Sequence, residues 1–206
     1  MSETNVVEVK NSGMADPSQV GLASFGIGLF TLSFFNAGIL GANAMSVIAP
    51  LAMIVGLIHF FAALTGFKKG EGFTAIVFGI YGMFWVVYGL FQTLAAAKIF
   101  TLDIQAVTIF LIAYTIFTVY IFLATLVTNK AVILTLAVLL TVFLLLDFGL
   151  APTLSGGAPN GALITWAGYL GIVDALLALY ISAAILLGAM YGKSVLPVGP
   201  VVRKAA

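Results

Sequence analysis

Long apolar runs, broken by short polar or glycine-rich stretches, dominate the chain. Six of these runs reach the length of about 20 residues that a helix needs to cross a bilayer. They cover residues 21–40, 45–64, 74–97, 105–127, 132–150 and 163–190. The breaks are Gly41-Ala42-Asn43, Phe67 to Gly72 with Lys68, Lys69 and Glu71, Lys98 to Asp103, Asn129-Lys130, and Pro152 to Gly161. Charges in the breaks are costly in lipid, so they bound the spans more firmly than hydropathy does. The runs are too long and too uniformly apolar for membrane-barrel strands of about 10 residues. The pattern predicts an all-α membrane protein of six transmembrane helices forming a pore-containing bundle. The predicted layout is a polar tail over residues 1–20, a six-helix domain over 21–191 and a second tail over 192–206.

Composition strengthens this reading. Hydrophobic residues make up 63% of the 206 positions and charged residues 7%, against about 45–50% and about 25% in soluble domains. The mean hydropathy is +1.22. A soluble globule could not cover itself with so few polar groups. The net charge of +1 offers no field for a nucleic acid, and no such partner is expected. There is no cysteine, so disulfides, thiolate catalysis and Cys-ligated metals are excluded. The first 20 residues carry Glu3, Glu8, Lys10 and Asp16 without an apolar core, unlike a signal peptide. With six spans, Lys10, Lys68, Lys69, Lys130, Lys193, Arg203 and Lys204 fall on one side and only Lys98 on the other. That asymmetry places both termini in the cytoplasm. No internal repeat is evident.

Lipid is as apolar as leucine, so membrane helices associate through close packing at small residues. Gly168, Gly171, Ala175, Ala178 and Ser182 share one face of the last span. Gly21, Ser24, Gly28 and Thr31 do so on the first, and Gly79, Gly82 and Gly89 mark the third. These faces fit helix packing, a smooth pore wall, or both. They also exceed what one bundle obviously requires, which points to a homo-oligomer. On the fourth span Thr108, Tyr114, Thr115, Thr118 and Thr125 share an arc of about 120°. Their hydroxyls either bond back to the helix's own carbonyls or face a subunit contact or wet cavity.

Ionisable groups within spans are few: His59, Asp147 and Asp174. Such groups are expensive in a membrane and suggest function. Asp174, midway along the last span, is either a packing residue or a proton-coupling one. His59 is either a satisfied core residue or a pore-lining hydrogen-bonder, and Asp147 lies near enough to the outer surface to be solvated. No Lys or Arg lies in any span. An anion would therefore be met by backbone N–H groups, hydroxyls, amides and aromatic edges, which suits fast passage better than tight capture. Three scattered groups do not make a metal site. Neither a nucleophile–base pair nor a phosphate loop is present, so neither an enzyme nor a bound cofactor is expected. Tyr81, Trp85 and Tyr88 share a face of the third span. Tyr81 is deeper than an interfacial belt residue, and its hydroxyl needs a partner, which a pore would supply.

Several of these stretches resemble the acetate uptake transporter family, the succinate–acetate permease type. They are Asp16-Pro17-Ser18-Gln19-Val20-Gly21-Leu22 with Ala23-Ser24-Phe25-Gly26, Asn36-Ala37-Gly38, Phe67-Lys68-Lys69-Gly70, Tyr81-Gly82-Met83-Phe84-Trp85, Gly168-Tyr169-Leu170-Gly171, and Tyr191-Gly192-Lys193-Ser194-Val195-Leu196-Pro197-Val198-Gly199. The resemblance implies six helices around a pore in each protomer, a homohexamer, and uptake of acetate and sometimes succinate across the plasma membrane. It also implies a hydrophobic constriction of Phe25, Tyr81 and a leucine of the fifth helix. Counting along the run gives Leu139, with Leu140 one register away. Asn36, His59, Trp85 and Asp174 are candidates for pore lining or coupling. Two departures stand out. Asp16 replaces the family's usual asparagine, which would slow an anion at the pore mouth. His59 stands where bacterial members often have glutamine. The family resemblance leaves open an anion channel or a proton-coupled transporter. The residues alone also allow a passive channel for neutral solutes such as urea or acetic acid, or a non-transporting membrane sensor. A sensor is disfavoured by the lack of a sizeable soluble domain.

Overall fold

A computed structural model describes residues 15–200. Most of the predicted N-terminal tail with Lys10, and Arg203 and Lys204 of the C-terminal tail, lie outside the described residues. Six helices follow in order: α1 (Pro17–Asn36), α2 (Met45–Lys69), α3 (Gly72–Ala96), α4 (Ile104–Thr125), α5 (Lys130–Leu150) and α6 (Gly161–Tyr191). All six are long and apolar enough to cross a membrane. Short 3-10 turns occupy Ala42–Ala44 and Ala151–Ser155.

The helix ends follow from local chemistry. Asp16 caps α1 by accepting the Ser18 N–H at 2.9 Å, and Pro17 supplies a preset φ at the first helical position. The helix thus starts at Pro17, ahead of the predicted residue 21, because the cap lies upstream of the apolar run. Asp103, Asn129 and Asn160 cap α4, α5 and α6 in the same way. The α2 helix runs past the predicted residue 64 until Gly70, whose φ of 74° ends it in the left-handed region. Beyond α6 the tail folds back on α5. The Lys130 N–H donates to Gly199 O at 2.8 Å and the Ala131 N–H to Val198 O at 3.0 Å. The Tyr180 hydroxyl pins the same tail at Pro197 O, 2.8 Å away.

Backbone packing runs α3–α2–α1–α6–α5–α4. Glycines carry the closest contacts. A Cβ on Gly168 of α6 would fall on the backbone of Ala37, and one on Gly56 of α2 would stand 2.6 Å from Gly82 O of α3. Gly171 meets Ser33, Gly26 meets the Ala175 carbonyl, and Gly89 meets the Ala49 carbonyl. The small-residue faces of α3 and α6 are therefore used inside the protomer. On α1, Gly21 and Gly28 meet Phe78 and Val55. Those faces no longer argue for an oligomer.

The remaining side of the ring, between α3 and α4, closes differently. Aromatic rings fill it: Phe84 stacks on Phe110 at 5.3 Å and meets Tyr114 edge-on at 4.9 Å, and Tyr81 meets Phe117 edge-on at 5.1 Å. Large side chains hold these helices apart where glycine draws the others together, and the bundle keeps space along its axis.

Candidate functional site

Two cavities lie along that axis. The larger, about 360 Å³, is bordered by Asp16 and Ser18 at the start of α1, Thr74 of α3, Asn129 at the start of α5, and Val198 of the tail. It therefore lies toward the end of the bundle where both described termini sit. The smaller, about 40 Å³, is bordered by Ser33 and Asn36 of α1, Phe84 and Trp85 of α3, and Phe143 and Leu146 of α5. It lies toward the other end. Phe25, Tyr81 and Leu139 border both cavities. They come from α1, α3 and α5, and all three are buried, at 8%, 4% and 5% exposure. Leu140 borders neither. The packing of α1 against α2, and of α5 against α6, turns the faces bearing Phe25 and Leu139 toward the axis, and the wide α3–α4 seam leaves room for the Tyr81 ring.

The walls are apolar with scattered hydroxyls and amides. No Lys or Arg among the described residues borders either cavity. Lys69, near the same end, is ion-paired with Glu71 at 2.7 Å. The N-termini of α1 and α5 at the mouth are occupied as well. Asp16 takes the Ser18 N–H of α1. Asn129 takes the Val132 N–H of α5, and the tail carbonyls take those of Lys130 and Ala131. An anion in the larger cavity thus finds no fixed cation, and among the helix ends at the mouth only that of α3, where Glu71 supplies no side-chain cap, leaves its first amides open. Such a site favours passage over capture.

His59 borders the larger cavity and is 1% exposed. Its Nδ1 lies 2.8 Å from Val55 O and 3.2 Å from Ser24 Oγ. A carbonyl only accepts, so Nδ1 carries the proton, and Ser24 gives its own proton to Gly21 O at 2.9 Å. The ring is further held edge-on to Phe78 at 5.2 Å. His59 is thus both fixed in the core and part of the cavity wall.

A family model described as the GPR1/FUN34/yaaH family matches residues 2–201. The chain belongs to this family. Among GPR1/FUN34/yaaH relatives, the succinate-acetate/proton symporter SatP of Escherichia coli K12 is 29% identical, over 92% of this chain and 97% of that one. Acetate permease A of Emericella nidulans is 28% identical, over 81% of this chain and 59% of that one. The structure of the bacterial acetate channel SatP superposes with a TM-score of 0.79 at 28% identity, covering 90% of this chain and 99% of that one. The six-helix fold is therefore that of the channel.

The other candidate residues are dispersed. Asn36 and Trp85 border the smaller cavity, and the Trp85 ring meets Phe25 edge-on at 6.4 Å. Asp174 is fully buried, neither of its oxygens has a hydrogen-bond partner, and it borders neither cavity. Asp147 is not simply solvated as its position suggested. Its Oδ2 accepts from Thr115 at 2.6 Å, and its Oδ1 is buried without a partner. The threonine arc of α4 faces other helices and lines neither cavity. Thr108, Thr118 and Thr125 donate to carbonyls of their own helix, whereas Thr115 gives its one proton to Asp147. The Tyr81 hydroxyl finds its partner in Thr118 Oγ1 at 2.8 Å, away from the axis. Sequence reasoning missed that bond, the Ser24–His59 contact and the fold-back of the tail. The threonine arc was a usable signal for the first of these, but its direction was not.

Proposed function

We propose that this chain carries acetate and related small carboxylates across the plasma membrane along the axis of each protomer. Phe25, Tyr81 and Leu139 form the constriction. The observation that carries this reading is that these three side chains, from three helices, stand at the boundary of the two cavities. The names of the E. coli and E. nidulans relatives support the substrate class. The chemistry suits it too. Acetate has an apolar and a charged end, and a ring of apolar side chains excludes bulk water without a moving lid. Aromatic edges present partial positive charge to a carboxylate. Uptake of labelled acetate into proteoliposomes, with imposed voltage or pH gradients, tests it. Voltage-driven acetate current supports an anion channel, and accumulation that requires a pH gradient supports symport. Absence of acetate flux overturns the proposal.

The layout we favour is a transmembrane domain with cytoplasmic tails, supported by the Lys/Arg asymmetry. Reporter tags at Met1 and Ala206 should both face the cytoplasm. A homohexamer with one pore per protomer is the expected assembly, resting on the family resemblance. Native mass spectrometry showing only monomer in mild detergent would remove that assignment.

A further inference from the structure

The α4 helix contributes no side chain to either cavity, yet it holds the hydroxyl of a residue that borders both. Thr118 is fully buried and has one hydroxyl proton, which it gives to Tyr114 O at 2.6 Å. The 2.8 Å contact between Thr118 Oγ1 and the Tyr81 hydroxyl must therefore be donated by Tyr81. This hydrogen-bond chain has a fixed direction: Tyr81 to Thr118 to the α4 backbone. The ring is steadied by Phe117, edge-on at 5.1 Å, and by Tyr114, stacked at 6.5 Å. Both are α4 residues.

We propose that Thr118 is a positioning residue for the constriction, latching the Tyr81 ring against α4 and so setting the width of the axis from a helix that never touches the substrate. The latch rests on the reading of Phe25, Tyr81 and Leu139 as the constriction. A buried tyrosine hydroxyl needs an acceptor. Without Thr118 Oγ1, the hydroxyl is free to turn with its ring into the larger cavity, which Tyr81 already borders, and so to narrow the axis. Side-chain hydrogen bonds between membrane helices typically bias such a choice by about threefold, and by up to about eighteenfold.

The test is flux per folded molecule in proteoliposomes, measured for acetate and for succinate. Thr118→Val keeps the shape and removes the acceptor. It should lower acetate flux by about threefold or more and lower succinate flux further. Thr118→Ser should restore both. Tyr81→Phe has no hydroxyl to satisfy, so adding Thr118→Val to it should change nothing more. Wild-type fluxes and ratio in Thr118→Val, with Leu139→Ala still raising flux, overturn the latch and leave the constriction standing. A Thr118→Val loss that persists in the Tyr81→Phe background assigns Thr118 to α4 packing alone and also overturns it. If Leu139→Ala is silent too, the constriction reading fails and takes the latch with it.

Discussion

Asp16→Asn separates anion passage from passage of a neutral acid. Asp16 does two things in the structure: it caps α1 through the Ser18 N–H and it borders the mouth of the larger cavity. Asparagine caps a helix as well as aspartate does, so the substitution removes the charge and keeps the helix start. The cavity extends from Asp16 to Phe25, about 14 Å along α1, so an acetate in its outer half lies within about 9 Å of the wall carboxylate. At that distance two like charges repel by about 0.5 kcal/mol in bulk water and about 2 kcal/mol at the lower effective dielectric near a protein surface. Removing the charge should therefore raise acetate influx from the Asp16 side by about two- to twentyfold at low ionic strength. The gain should fade in 1 M salt, where the screening length is about 3 Å. The assay is the initial rate of labelled acetate flux across oriented proteoliposomes in about 10 mM and 1 M salt, normalised to folded protein. Equal rates for Asp16→Asn and wild type at low salt would show that the permeant carries no charge past this mouth, and the anion reading would be replaced by passage of neutral acid.

Other substitutions probe separate parts of the bundle. Leu139→Ala and Phe25→Ala each open the wall between the two cavities. Each is expected to raise flux, by about tenfold for every 1.4 kcal/mol taken off the barrier, and to admit larger carboxylates. Loss of folded protein without a gain per folded molecule would mark them as packing residues. Gly168→Val places a side chain on the Ala37 backbone and should destabilise the α1–α6 contact by about 1–3 kcal/mol or more, read as a lower midpoint in detergent thermal unfolding; an unchanged midpoint would contradict the packing. Asp174→Asn keeps the shape while removing a titratable group whose oxygens have no partner. It should abolish pH-gradient-driven accumulation and spare voltage-driven flux if Asp174 couples protons, and unchanged accumulation would assign it to packing.

The six spans were legible because the physics that fixes them is local. A backbone in lipid must satisfy its own hydrogen bonds, so about 20 apolar residues between charges specify a helix without reference to any other part of the chain. The ends were less legible, since hydropathy does not see a cap. Asp16 lies outside the apolar run that it starts, and α2 continues through Thr65-Gly66-Phe67 because nothing breaks it before Gly70. The small-residue faces were visible as faces, but whether they met a sister helix or a sister protomer depended on which helices adjoin. The structure resolves this with the backbone of Ala37 against Gly168 and that of Gly82 against Gly56.

The site was legible only where a residue's chemistry was at odds with its depth. A tyrosine in mid-span demands a partner, and this singled out Tyr81 while leaving the partner open between a pore and a neighbour. A leucine in a run of leucines makes no such demand, so Leu139 came through resemblance alone. The same asymmetry explains why α4 misled. Its threonines looked like a wet surface, yet Thr108, Thr118 and Thr125 bond back to their own helix, and two hydroxyls tie other helices to α4: Thr118 accepts from Tyr81, and Thr115 donates to Asp147. A polar stripe on a membrane helix is thus ambiguous between lining a path and holding the residues that line it. Here the cavity walls decide the matter, because they include Tyr81 and none of the threonines of α4. Both cavities are walled by α1, α3 and α5, with His59 of α2 and Ile181 and Ile185 of α6 added at the larger one, and α4 is joined to that wall by the hydrogen bond that Tyr81 donates.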